Sequence, residues 1–349
     1  MLISAISLTN FRNFKSAKYE FSPNLTLIIG ENARGKTSLL EAVYSSVYGT
    51  GFRESREAEL VNFDHDNCII DAEFIEDADM ERFQIKILRS ADDRVTKTFY
   101  VNKAVKSSIQ YRKNQTQAVL FAPEQIRIIT GSPSRKRKYV DSIISAIDPE
   151  YKKSLRLYEN AFRRRNKVLE RYESEDDLER ELTYWDKLVV DNGVELTTKR
   201  NSLIEFLNNN PIIDGKTFSI KYIPNIITAE KLLSVRDQEM RFRRTLIGPQ
   251  KDDFEISLVT NSKKNVSLYG SRSEQRMAVF WLKLNELKLF EEKSQEKPLL
   301  LLDDIFSELD DHNRKLVMKM IGEYQTIATT TEIEIGEIRQ DLNKLVIEL

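Results

Sequence analysis

One unbroken stretch, Gly30-Glu31-Asn32-Ala33-Arg34-Gly35-Lys36-Thr37, fits the phosphate-loop pattern G-x-x-x-x-G-K-[ST]. Its two glycines let the backbone curl so that successive N–H groups converge on a polyphosphate. Lys36 would reach the β- and γ-phosphates, Thr37 would offer its hydroxyl to Mg²⁺, and Ser38 continues the cradle. A second feature, late in the chain, supplies the charge such a loop needs. Pro298-Leu299-Leu300-Leu301-Leu302-Asp303-Asp304 is an apolar run ending in two acids. Asp303 would hold the metal, and Asp304, one residue further, would orient or deprotonate an attacking water. Acids also end strands as helix caps, but here they share a chain with a phosphate loop.

The elements around these residues have the right periods. Leu25 to Ile29 is a short apolar run of the buried-strand kind, and Ser38 to Tyr44 places apolar residues at helical spacing. Strand, loop, helix is the context the motif requires, and the helix start adds a partial positive charge. Almost the whole chain separates Lys36 from Asp303, so a large insertion must lie between the two halves of the site. Further on, Tyr269-Gly270-Ser271-Arg272-Ser273-Glu274 opens a long helix through Trp281, Leu284 and Leu287. Ser271 and Glu274 form an S-x-x-E capping box. A capped helix start is also an anion site, and in ATP-binding cassettes a serine there contacts the γ-phosphate held by a second subunit.

Near the start, Leu2 to Leu8 and the residues through Tyr19 and Phe21 read as two strands about an Asn10-Phe11-Arg12-Asn13-Phe14 turn. Residues 68–105 alternate with period two, the mark of half-buried antiparallel strands, and Ala118 to Phe121 is a further strand that breaks at Pro123-Glu124-Gln125. From Ser142 to about Leu207 the chain is rich in Leu, Glu, Lys and Arg with helical apolar spacing, and strands resume near Phe218 and Phe254. The expected organisation is a discontinuous head, 1–141 and 246–349, interrupted by a helical lobe, 142–245.

The chain has 349 residues, 40% of them apolar and 31% charged, which supports a sizeable core in a soluble protein. No stretch approaches a membrane span, and the Met1-Leu2-Ile3-Ser4-Ala5 start is not a secretory signal, so a cytoplasmic protein is expected. A single cysteine, Cys68, and two histidines argue against disulfides, zinc sites and cysteine–histidine catalysis. The net charge of −1 hides basic clusters at Arg135-Lys136-Arg137-Lys138, Arg163-Arg164-Arg165 and Arg241 to Arg244. The first two are the candidates for contact with nucleic acid, against the plainer reading of solvated faces.

Taken in order, these motifs resemble the RecF family of recombination-repair ATPases, short-armed relatives of the structural-maintenance-of-chromosomes (SMC) heads. The shared stretches include Asn10 to Asn13, the loop continuing to Ala42, Gly51-Phe52-Arg53, Phe121 to Gln125, Gly131 to Arg135, Gly248 to Asp253, the serine-led signature, and Leu302 to Asp310. The resemblance implies an α/β, ATP-binding-cassette-type P-loop ATPase head with an antiparallel β subdomain and an inserted helical lobe. It implies ATP and Mg²⁺ as ligands and weak, DNA-stimulated hydrolysis. It implies an ATP-dependent homodimer on double-stranded DNA or single–double-strand junctions, acting with RecR and RecO mediators to load RecA recombinase. Arg12 and Asn13 would line the nucleotide, Gln125 would sense Mg²⁺ and the γ-phosphate, and Asp310 would lie at the dimer seam. Two departures stand out: Ser273 replaces the signature glycine, and Gln250-Lys251 replace His-Arg in the Gly-Pro-His-Arg-Asp-Asp motif. Ser273 adds a side chain where glycine would let the helix start approach the γ-phosphate of the opposite ATP, so the seam should close less tightly and turnover should be slow. Its hydroxyl would compensate only in part by donating to that phosphate. A transporter subunit predicts a switch histidine where this chain has Thr329-Thr330-Thr331, and a small-molecule kinase has no need of the serine signature. A RecF relative that uses ATP structurally, in phage defence or replication control, shares every motif.

Overall fold

A computed structural model describes residues 1–53, 56–77, 79–113, 116–210, 212–306, 311–330 and 344–349. They form two compact units, residues 1–124 with 287–349, and residues 125–286.

The first unit is built around the helix that follows the phosphate loop, Lys36–Tyr48. Leu39, Leu40, Val43 and Val47 are buried, and so are Ser38, Glu41, Ser45 and Ser46, so almost every face of the helix is covered. A helix enclosed on all sides must lie between layers. One layer is a five-stranded, wholly parallel sheet in the order Lys344–Glu348, Leu25–Ile29, Thr326–Thr330, Leu299–Leu302, Ala118–Phe121. Its four inner and far strands are buried along their whole length, as their unbroken apolar or threonine sequences require. The other layer is an antiparallel sheet of six strands in the order Phe14–Glu20, Leu2–Phe11, Asn67–Glu76, Asp79–Arg89, Val95–Val101, Ala104–Lys106. Here apolar residues alternate, and Ile6, Ile70, Phe74 and Phe83 join Leu39, Leu40 and Val43 in one core. The head fold and its antiparallel subdomain are those expected from the sequence. Cys68 belongs to this core, and burial pushes its thiol up to about 12, so it is an inert packing residue.

The second unit holds the helices Pro133–Ile147, Pro149–Arg171 and Glu175–Asn209 and a four-stranded antiparallel sheet that includes Lys216–Ile223 and Asp253–Val259. It is wider than the helical lobe expected at 142–245. The reason is a set of polar ties that bind the sheet to the helices. Lys136 Nζ pairs with Asp253 at 3.0 Å and donates to the Phe254 carbonyl at 2.8 Å. Arg137 donates to the Asp252 carbonyl at 2.7 Å, and between helices Trp281 Nε1 donates to the carbonyl of Asn210, the cap of Glu175–Asn209, at 2.8 Å.

The Gly248 to Asp253 motif belongs to this frame. Asp252 is fully buried and accepts hydrogen bonds from Arg200 Nη1 (2.7 Å), the Tyr222 hydroxyl (2.5 Å) and the Asn225 backbone N–H (2.6 Å). Arg200 is bound in turn by both oxygens of Asp141 at 2.9 Å. Gln250 accepts from the Tyr158 hydroxyl. The motif therefore locks the end of the inner strand pair to three helices, and its glutamine departure is an internal contact.

Candidate functional site

Parallel strands present their carboxyl ends, and the loops that follow them, on one side of the sheet. Leu25–Ile29 runs into the phosphate loop there, and Leu299–Leu302 runs into Asp303 and Asp304. Thr326–Thr330 lies between the two strands and joins their chemistry. Thr37 Oγ1 stands 2.9 Å from Asp303 Oδ1, and Thr329 Oγ1 donates to the same oxygen at 2.9 Å. The Asp304 N–H donates to Thr329 Oγ1 at 2.8 Å. This hydroxyl bridge fixes Asp304, which holds a left-handed φ of 46° and lines the cleft beside the loop. Burial raises the Asp303 pKa, opposed by the hydroxyls of Thr37 and Thr329. A buried carboxylate and a hydroxyl side by side form the hard-oxygen pair that Mg²⁺ takes beside a polyphosphate, so the residues fit the metal.

Lys36 Nζ donates to the Gly30 carbonyl at 2.6 Å and the Glu31 carbonyl at 3.1 Å, folded over its own loop. The cleft encloses about 730 Å³ and is lined by Arg12, Asn13, Asn32, Ala33 and Gly35 to Ser38 among the residues the motifs single out. Glu31 and Arg34 point outward and pair with each other at 3.2 Å.

Arg12 reaches the cleft because a buried acid holds it there. Glu41, with its side chain wholly buried in the loop helix, accepts from Arg12 Nε at 2.9 Å and Arg12 Nη2 at 3.2 Å. It also accepts the Arg53 backbone N–H at 3.2 Å, with Arg53 Nη1 3.8 Å away. Gly51 permits this approach, since a Cβ there would lie 2.7 Å from Glu41 Oε1. One carboxylate thus positions two arginines on the cleft wall. Motif reading gave Arg53 no role and missed Glu41, although an acid amid the apolar residues of a helix is the signal that could have found it. Asn13 Nδ2 donates to the Arg34 carbonyl at 3.1 Å and braces the loop from outside.

Gln125, Ser271 and Ser273 belong to the second unit, and the cleft's lining residues all come from the first. The capping box at the start of Arg272–Ser294 is formed: the Ser271 N–H donates to Glu274 Oε2 at 2.7 Å, and the Glu274 N–H to Ser271 Oγ at 3.2 Å. Asp310 lies outside the described residues, as do its neighbours 307–309 and the last of the three threonines, Thr331.

The basic clusters divide. Arg163 and Arg164 are exposed, as is Lys138, whereas Lys136 and Arg137 are committed to the internal ties above. Arg165 is a correction to the sequence reading. It has no exposed surface and donates from Nε to Asp186 (2.7 Å), from Nη1 to Thr245 (2.8 Å) and from Nη2 to buried Glu239 (2.5 Å), so no DNA phosphate can reach it.

The parallel sheet, the phosphate loop and the Asp303 pair define an ATP-binding-cassette-type ATPase head. The family model "RecF/RecN/SMC N terminal domain" matches residues 2–342. A DNA replication and repair protein RecF from Acetivibrio thermocellus is 32% identical over all of this chain and 98% of its own length. The solved structure of the recombination mediator protein RecF-ATP in the RecFOR pathway superposes with a TM-score of 0.84 at 31% identity, covering 98% of this chain and 93% of that one. An Smc head domain from Pyrococcus furiosus shares the fold alone, with a TM-score of 0.53 at 18% identity. The chain belongs to the RecF family of DNA replication and repair proteins.

Proposed function

We propose that this protein is an ATP-hydrolysing DNA-repair factor that dimerises around two ATP molecules on double-stranded DNA or at single–double-strand junctions. The observation that carries the reading is the Thr37–Asp303 pair at 2.9 Å beside the phosphate loop, with Asp304 fixed on the same wall. Thr37 and Asp303 would hold Mg²⁺, with Gln125 completing the set. The ion would neutralise charge on the β- and γ-phosphates. Lys36 would turn from its own loop carbonyls to the phosphates, and Asp304 would orient the attacking water. Ser271 and Ser273 would reach the ATP of the other subunit. Arg163, Arg164 and Lys138 would meet the DNA backbone with little sequence preference and a steep salt dependence. The solved structure is that of a recombination mediator protein, RecF-ATP, in the RecFOR pathway, which supports RecR- and RecO-type partners here. With them the protein would help load RecA recombinase. No helix among the described residues is long and apolar enough to cross a membrane.

Light scattering tests the core of this. A monomer is expected without nucleotide and a dimer with ATP and Mg²⁺. Asp304→Asn should lengthen the dimer's lifetime, because phosphate contacts survive while water activation is lost. Equal dimerisation with and without nucleotide overturns the model. Ser273→Gly tests the seam: it should raise the DNA-stimulated ATPase rate with little change in ATP affinity. No gain means that Ser273 is merely tolerated beside the Ser271–Glu274 cap.

A further inference from the structure

The third basic cluster, Arg241 to Arg244, has no part in the ATP and DNA readings, and it holds a phenylalanine. Phe242 ends the short helix Arg236–Phe242 and is 57% exposed, whereas Met240, two residues earlier, packs against buried Val168, Leu169, Leu178 and Leu182. A single exposed apolar side chain is ordinary on a protein surface. This one sits among three exposed arginines. Arg243 is committed to the fold: its Nη1 donates to the Glu170 carbonyl at 2.6 Å, and its guanidinium lies over the Tyr172 ring, 5.2 Å from the centroid. Arg241 and Arg244 make no side-chain hydrogen bond or ion pair among the described residues. Cations at a helix C-terminus complement its dipole, which accounts for charge here but not for an aromatic left in water.

The turn is held from several sides. Arg243 caps the helix in the left-handed region, at φ 51° and ψ 37°, where glycine is usual. Its N–H donates to the Met240 carbonyl at 3.4 Å, and the Arg244 N–H donates to the Glu239 carbonyl at 3.2 Å. Thr245 follows, donating from its N–H and its hydroxyl to Asn166 Oδ1 at 2.8 Å and 2.7 Å. An arginine is thus kept where glycine fits more easily, and the backbone beneath the ring and the two unspent charges is fixed before any partner arrives.

The surrounding charge chooses between anionic partners. Asp237, one helical turn before Arg241, is exposed, and so are Glu170 and Glu173 on either side of the stretch that Arg243 contacts. A nucleic-acid strand carries a phosphate on every nucleotide and would set some of them against these acids. A peptide can put carboxylates on the two arginines alone, each taken in a two-pronged fork, and an apolar side chain on the ring. We propose that the Phe242 turn is a docking site for an acidic segment of a partner protein, which places an apolar side chain on Phe242 and carboxylates on Arg241 and Arg244. The site stands apart from the ATP and DNA readings and survives or fails without them.

The probes are fluorescein-labelled: an alternating Glu-Phe peptide, the matching Glu-Ser peptide, and oligo-dT of equal charge, each titrated with the full chain and read by anisotropy. The Glu-Phe peptide should bind on the order of tenfold tighter than Glu-Ser, the scale of one well-placed aromatic contact. Phe242→Ser should erase that preference and leave Glu-Ser binding in place. Arg241→Ser combined with Arg244→Ser should weaken both peptides. These side chains are exposed, so the variants should keep the parent's urea transition. A preference that survives Phe242→Ser, or binding of neither peptide, overturns the proposal. A shifted transition in Phe242→Ser would make the ring a packing residue and overturns it too. Oligo-dT binding that falls with Phe242→Ser would assign the turn to single-stranded nucleic acid instead.

Discussion

Arg165→Ala should destabilise the second unit by about 3–5 kcal/mol, the cost of removing one partner from a buried ion pair. The side chain uses all three guanidinium nitrogens, on Asp186, Thr245 and Glu239. Glu239 has no exposed surface, and its other oxygen accepts the Leu246 N–H at 2.8 Å, so truncation strands a carboxylate where water cannot solvate it. Asp186 would keep a partner in Arg236, 2.5 Å from its second oxygen, which places the damage at Glu239. Lysine is no substitute, because one ammonium cannot span three acceptors in a plane. Urea unfolding followed by far-UV circular dichroism should show the loss as an earlier transition of the second unit. Replacing Arg163 and Arg164 together by alanine should leave that transition in place and weaken DNA binding. The opposite pattern, an unmoved transition for Arg165→Ala with DNA affinity lost, would return Arg165 to the surface.

That contrast shows where the sequence was legible. Three consecutive arginines look like one charged patch, but successive residues on a helix point about 100° apart, so a run of three cannot share a face. On Pro149–Arg171 two of them meet solvent and the third meets the core. A buried arginine leaves no mark in its own neighbourhood, because its acids stand 21 and 74 positions away. The phosphate loop and the Leu299–Asp304 run were readable for the converse reason: each is a contiguous stretch whose local conformation is its function. The rest of the cleft is assembled across the antiparallel sheet. Arg12, Glu41 and Arg53 come from a strand end, a helix and the bend after that helix, and no spacing rule joins them. The lobe boundary slipped for a related reason. The run Arg135 to Lys138 suggested surface and hid the helix Pro133–Ile147, whose buried Val140, Ile143 and Ile144 come only later.

Gly35→Ala should lower ATP affinity on the order of 100-fold, the scale set by an ångström of misplacement in a positioned site. Gly35 ends the loop at φ 111°, ψ 10° and begins the helix, its carbonyl accepting the Leu39 N–H at 2.9 Å. Ala33, in the same loop, holds a left-handed φ of 68°, a value an L-residue can adopt. Gly35 lies well beyond that region, so alanine would be strained even in open space, at a cost of about 1–3 kcal/mol. The space is not open either. A Cβ would stand 2.5 Å from Asn13 Nδ2 and 3.0 Å from both Asn13 Oδ1 and Phe14 Cζ. Phe14 packs into the core of the first unit and cannot retreat, so the loop must move instead. Movement there turns the N–H groups away from the phosphates and shifts Lys36 and Thr37, the next two residues. The double variant Gly35→Ala/Asn13→Gly, read against Asn13→Gly alone because Asn13 itself braces the loop, separates the dihedral from the crowding by Asn13. Relief of crowding alone restores part of the affinity, whereas a loss that persists in full assigns the effect to the dihedral. Calorimetric titration with ATP reads both, and an unchanged affinity in the single variant would mean that the loop accommodates a Cβ and that its curl is not set by Gly35.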